Sequence, residues 1–329
     1  MTESFPRLPP EWALQRGTLL AWPAATSDWV DDLAAIRAEY QHFIKTILKY
    51  QPVMLLVSPG DETARKQLSD HPDLHLLEIP FNDTWCRDYG PVTLVGSNPA
   101  RALDFLFNGW GGKYPAALDN QVNGHLARHP LFRKLQFRQS LFELEGGAIE
   151  CDGQGLLLIN WHCLKTRHPH LDRDAIADEL RGLLNVDRVI GIDIEPMAGD
   201  DTDGHIDTLA RFLPHRRIAF QTQHDDGATH QLRAQLEGLR DRSGQAFDLI
   251  AMPFPAGVDP DLPANYVNFL FVNGACLVPV YGVDTDQSAL SLLEQALPQH
   301  RIEPIPARQM IRQYGGPHCA SMHLPETTS

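Results

Sequence analysis

A chain of 329 residues that is 43% hydrophobic and 21% charged is long enough to bury a sizeable core, and it has no apolar run near the ~20 residues of a membrane span. Its net charge of -14, from 28 Lys and Arg against 42 Asp and Glu, comes with no basic stripe, which argues against nucleic acid or an anionic membrane as partner. The opening MTESFPRLPPEW lacks the basic and apolar regions of a secretory leader, and the five cysteines form no C-x-x-C pair, so the expectation is a cytoplasmic protein without a disulfide framework or zinc knuckle.

Residues 32–49 place Leu33, Ile36, Phe43, Ile44, Ile47 and Leu48 at helical spacing, and PVMLLV (52–57) then reads as a buried strand. NDTWCRDYGP (82–91) lies between two strands and carries Asp83, Trp85, Arg87 and Asp88; if it is extended, Cys86 and Asp88 share a face. FNGWGG (107–112) sets Trp110 between glycines, and ELEGGAIE (143–150) places Glu145 before a glycine pair that permits close backbone approach. Paired apolar runs follow, joined by turn residues: GAIEC and LLLIN across DGQG, TLARFL and IAFQ across PHRR, VNFLFV and CLVPVY across NGA. Helix-to-strand couplets recur at 173–184 into 188–192, 228–242 into 247–252, and 287–297 into 301–305. Strand pair, helix, strand is thus repeated with no linker between copies, which predicts a closed, pseudo-symmetric α/β assembly forming one catalytic domain over 1–329. A doubly wound sheet is the competing architecture, but no glycine-rich phosphate-binding motif stands at any strand-to-helix turn.

DDTDGHID (200–207) gathers four carboxylates and an imidazole into eight positions. A calcium loop is a poor reading, because the later bidentate Glu of an EF-hand is missing. In a strand, His205 and Asp207 face the same way, which suits a metal-ligand pair or an acid/base beside a cation-binding carboxylate. Near the end, YGGPHCASMHLP (314–325) offers Cys319 after a glycine turn as a candidate nucleophile.

The ordered set Trp-x-Arg-Asp, Asn-x-Trp-Gly-Gly, Glu-Gly-Gly, Asp-x-x-Asp-Gly-His-x-Asp, NYVNFLFVNG (265–274) and Gly-Gly-x-His-Cys resembles the agmatine deiminase and bacterial-type peptidyl-arginine deiminase family, from about Trp12 to Pro325. The resemblance implies the pentein fold, a five-bladed αβ propeller of ββαβ repeats around a central active site. It also implies cofactor-free, metal-free hydrolysis of a guanidino group to a ureido group with release of ammonia, agmatine being converted to N-carbamoylputrescine. By the same resemblance Cys319 is the nucleophile, His205 the general acid/base, and Asp88 and Asp207 the carboxylates holding a small cationic guanidino substrate. Trp85, Trp110, Glu145, Asp201 and Gly204 then line the pocket, with Asp201 and Trp85 at the distal amine and Asp200 and Asp203 only shaping the loop. A homodimer is compatible with this reading. Pro317 stands in a segment that in relatives reads Gly-Gly-Gly-Asn-Ile-His-Cys, and Asp201 stands where agmatine deiminases commonly carry Glu. A free-arginine or peptidyl-arginine deiminase, a metal-dependent hydrolase using His205, Asp207 and Asp203, and an inactive cation-binding pentein are the alternatives.

Overall fold

The computed structural model describes residues 6–223 and 226–327. Its strands form five separate small sheets, each begun by an antiparallel pair and extended by a parallel strand. The first joins the two ends of the chain, since Ser321–Pro325 pairs with Gln15–Ala21, which is followed outward by Val53–Val57 and Leu74–Glu78. The others are Val92–Leu94 with Ala100–Leu106 and Leu135–Glu143; Ile149–Cys151 with Leu156–Asn160 and Arg188–Ile192; Ala210–Leu213 with Arg217–Gln221 and Asp248–Met252; and Leu270–Val272 with Ala275–Val280 and Arg301–Pro306. A parallel strand cannot follow its neighbour through a tight turn, so a helix carries the chain across in each sheet. These helices are Leu33–Ile47, Asp119–Leu126, Arg173–Leu184, Asp226–Glu237 and Asp286–Ala296.

The predicted helices and third strands agree with these elements to within a few residues. The innermost strands are shorter than predicted. VNFLFV is extended only over Leu270–Val272, and TLARFL only from Ala210. Two segments expected to be extended are helical. His205 and Asp207 do not alternate along a strand, because His205 precedes a single helical turn, Ile206–Leu209. Likewise Cys86 and Asp88 lie in the helical turn Cys86–Tyr89. Their side chains diverge: the Cys86 thiol meets the Tyr89 hydroxyl at 3.2 Å, whereas Asp88 turns to Trp110 and Gly147.

One large apolar cluster unites residues of all five sheets, and a smaller one fills the space under the helix Asp226–Glu237. No helix among the described residues is long and apolar enough to cross a membrane.

Candidate active site

The segment just before the first strand of each sheet supplies one part of a common centre. In chain order these are Asp88 before Val92–Leu94, Gly147 before Ile149–Cys151, Asp207 before Ala210–Leu213, Asn268 before Leu270–Val272, and Cys319 before Ser321–Pro325. Neighbouring segments touch in sequence and return to the start. Gly147 N–H donates to Asp88 Oδ1 at 2.9 Å, and a Cβ on Gly147 would fall 2.5 Å from His205 Nδ1 and 3.2 Å from Asp207 Oδ2. Asn268 Nδ2 donates to Asp207 Oδ2 at 3.3 Å and to Cys319 Sγ at 3.1 Å, and Arg87 N–H donates to the Cys319 carbonyl at 3.1 Å.

Around the thiol the geometry is close. Cys319 Sγ lies 3.6 Å from Asp207 Oδ2, and His205 Nδ1 lies 3.7 Å from Asp88 Oδ1. Asp88 Oδ2 accepts from Trp110 Nε1 at 2.9 Å. To reach it Trp110 adopts φ 54°, a left-handed backbone that is uncommon for a bulky residue and is seen at functional sites. Asp207 Oδ1, Glu145 Oε2 and both ring nitrogens of His205 are buried without a hydrogen-bond partner among the described residues. Such groups are costly to leave unmet; Glu145 Oε2 and His205 Nε2 face one another at 4.0 Å, whereas Asp207 Oδ1 is left for a further polar partner.

Electrostatics follow from this crowding. Burial, reinforced by Asp207 and Asp88, pushes the Cys319 thiol well above its ordinary value. Burial also lifts Asp88 to about 6, against the pull of His205. For His205 burial works the other way, but Asp88, Cys163 and Glu145 together hold the imidazole well above its usual value. Burial would raise Asp207 too, yet the hydrogen bond and charge of His318 bring it below the usual carboxylate range.

A narrow pocket with an empty volume of ≈ 380 Å³ leads to Cys319 and Asp88 between the rings of Trp85, Trp110, Tyr114 and Tyr314. Its lining includes Asp28, Asp83 and Asp201 and, among the described residues, no Lys or Arg. Burial, with Asp28 and Asp201 nearby, raises Asp83 to about 7. A larger open groove of ≈ 1350 Å³ along Leu74–Leu77 contains no cysteine and one acid, Asp70, and offers no comparable chemistry.

Not every sequence candidate faces this pocket. Trp85 does, its ring against Gly315 and Trp29. Asp201 does as well, but its Oδ2 already accepts from the Tyr114 hydroxyl at 2.9 Å. Glu145 sits behind, where Arg167 Nε donates to its Oε1 at 2.5 Å and its Oε2 lies 4.0 Å from His205 Nε2. Gly204, at φ 85°, shapes the loop instead of lining the pocket: its N–H donates to Asp200 Oδ2, and a Cβ there would strike Asn160. Asp203 is ion-paired with Arg167 and Lys113, so the metal set His205, Asp207 and Asp203 does not assemble. The one metal-capable trio among the described residues is Glu145, Cys163 and His205. Sequence reasoning gave no role to Asn268, His318 or Glu11. Asn268 was visible only as an amide inside the apolar run NYVNFLFVNG, and Glu11 had no signal linking it to a site 307 residues away.

The comparisons with known proteins agree with this arrangement. A family model for Porphyromonas-type peptidyl-arginine deiminase matches residues 7–325. The agmatine deiminase of Ectopseudomonas mendocina is 31% identical over 353 residues, covering 97% of this chain and 95% of the relative. A cysteine-to-serine variant of the C. jejuni agmatine deiminase, solved with substrate bound, superposes with a TM-score of 0.89 at 32% identity and covers 99% of this chain and 98% of its own. The Enterococcus faecalis agmatine deiminase, solved catalysing its reaction, gives 0.89 at 25% identity over 97% and 96%. The chain belongs to the Porphyromonas-type peptidyl-arginine deiminase family, within which its agmatine deiminase relatives are hydrolases of guanidino C–N bonds.

Proposed function

We propose that this chain is an agmatine deiminase-type iminohydrolase, and that its five sheets are the blades of a propeller closed around the pocket. The unbroken circuit of contacts between the five pre-strand segments supports the closure. The observation that carries the function is the convergence on one buried thiol of two carboxylates and an imidazole with both nitrogens unpartnered.

Asp88 and Asp207 hold the planar guanidinium, which stays charged at physiological pH and donates in its plane. The Cys319 thiolate attacks the central carbon from above that plane, forming an S–C bond while one C=N electron pair moves to nitrogen. His205 gives its proton to a terminal nitrogen, the C–N bond breaks and ammonia leaves a thiouronium. Neutral His205 then takes a proton from water as the oxygen bonds to carbon. The intermediate expels the thiolate, and its hydroxyl proton ends on ammonia. In the free enzyme the raised thiol is neutral, so the arriving cation helps ionise its own nucleophile; the thiol proton passes to solvent and is regained when the product leaves. At the outer end Asp28, Asp83 and Asp201 suit a distal ammonium and oppose the α-carboxylate of free arginine.

Ammonia release from agmatine, arginine and a blocked arginine peptide tests this reading. Agmatine should give the highest kcat/KM, resistant to EDTA and lost to iodoacetamide, with substrate protecting. A higher value for either arginine compound overturns the substrate, and chelator sensitivity restored by zinc or manganese overturns the thiol mechanism.

A further inference from the structure

Behind the guanidinium-binding wall lies a buried ionic cluster that the reaction above does not use. Glu11, from the segment before the first strand, places Oε2 at 2.6 Å from His318 Nε2, 3.1 Å from Arg211 Nη2 and 3.3 Å from Arg87 Nη2. Its Oε1 accepts from Phe271 N–H at 2.8 Å. The other nitrogen of the same imidazole, His318 Nδ1, lies 2.7 Å from Asp207 Oδ2. Arg211 Nε donates to Glu150 Oε2 at 2.8 Å, and Arg87 Nη1 lies 2.9 Å from His323 Nδ1. Glu11, His318, Asp207, Arg87, Arg211 and Glu150 are all at most 6% exposed.

Two carboxylates at opposite nitrogens of one imidazole leave the ring no acceptor role. Ionised carboxylates only accept, so both ring nitrogens donate and His318 is an imidazolium. The cluster is then neutral, with Glu11, Glu150 and Asp207 against Arg87, Arg211 and His318. That balance is what lets six ionisable groups share a buried site. His323 adds no charge, because burial and Arg87 push it down to about 3. Glu11 is itself held well below the carboxylate range, the cost of burial being overcome by His318, Arg211 and Arg87.

We propose that Glu11 and His318 are positioning residues for Asp207: Glu11 holds His318 as a double donor, and His318 fixes Asp207 Oδ2 so that Oδ1 is presented, ionised, to the guanidinium. The proposal rests on the deiminase reading for the identity of the ligand at Asp207 Oδ1. Asp207 needs this support because the Asn268 amide that also donates to Oδ2, at 3.3 Å, is more distant and uncharged, whereas His318, at 2.7 Å, joins the cations His205, Arg211 and Arg87 around it. The fixed imidazolium also makes the segment around Glu11 part of the active site, although it lies 307 residues from His318.

The test is the protonation of one ring in the free enzyme. In 15N spectra of the free enzyme, wild type should show a histidine that donates from both ring nitrogens. His318→Asn, whose amide can still donate to Asp207, identifies that signal by removing it. Glu11→Gln, which keeps an acceptor for Phe271 but not the charge, should return the ring to the neutral form. Both variants should raise KM for agmatine about tenfold, more than they lower kcat, because the lost charge and fixed orientation act on guanidinium binding. A His318 ring that is neutral in wild type, or that remains doubly protonated in Glu11→Gln, overturns the proposal. So does an unchanged KM in both variants. If no guanidine releases ammonia, the deiminase reading fails while the ring signal still decides the linkage between Glu11 and His318. Thermal melts separate either outcome from loss of fold.

Discussion

Asp88 carries the clearest pH consequence. Burial lifts its carboxyl to about 6, and it must be ionised to hold a guanidinium beside the thiol. As pH falls through that value the proton competes with substrate, so kcat/KM should drop about tenfold per unit below about pH 6. Asp207, held below its ordinary value by His318, should not contribute to this limb. A pH profile for agmatine checks it: a limb confined to well below pH 5 would mean that Asp88 is not the group being titrated. Individual residues of this kind were legible where chemistry was dense in the chain, as in DDTDGHID or next to Cys319. They were illegible where one polar residue sits in an apolar run, as with Asn268, or where the partner is remote, as with Glu11 and His318. Trp110 shows the middle case, since its ring packs edge-on against Phe107 and Tyr114 like a core residue while its indole N–H reaches Asp88.

At the scale of the element, four of the five helix-to-strand couplets could be read from hydrophobic spacing. The second could not, because its helix, Asp119–Leu126, is short and polar (DNQVNGHL) and gives little periodic signal. The other misreading came from treating H-x-D as strand alternation. The segments that carry Asp88 and Asp207 turn through one helical turn instead, bringing those side chains to the common centre before the apolar strand begins. Gly147 is the tightest point of that arrangement. A Cβ there would lie 2.5 Å from His205 Nδ1 and 2.9 Å from Asp88 Oδ1, closer than real contacts allow. Gly147→Ala should therefore separate acid/base from carboxylate by a few tenths of an ångström or more. Displacement on the scale of 1 Å costs about a hundredfold in rate, and a loss of that order in kcat is expected with a cooperative thermal melt retained. Near-normal turnover would show that the two side chains are not held where the mechanism needs them.

For the molecule as a whole, net acidity has no address in a linear chain. A charge of -14 serves solubility wherever the carboxylates sit, and only the fold shows that Asp28, Asp83 and Asp201 line the same pocket as Asp88 and Cys319. A pocket lined by acids and aromatic walls, with Lys113 outside its lining and turned to the Asp201 carbonyl and Asp203, attracts a cation and raises its encounter rate. That attraction is screened as the Debye length shrinks from about 30 Å at 0.01 M salt to about 3 Å at 1 M. The kcat/KM for agmatine should accordingly fall about tenfold over that range, in the way steered associations do. Iodoacetamide carries no charge, so the rate at which it alkylates Cys319 through the same pocket should change little, which separates steering from a general effect of salt on the fold. Asp28 is exposed at the rim and touches neither the thiol nor His205. Asp28→Asn should flatten the salt dependence of kcat/KM while leaving kcat at saturating agmatine near its original value. A slope that is the same in the variant, or alkylation that tracks agmatine turnover as salt rises, would place the acidity outside the encounter step and leave it a matter of solubility alone.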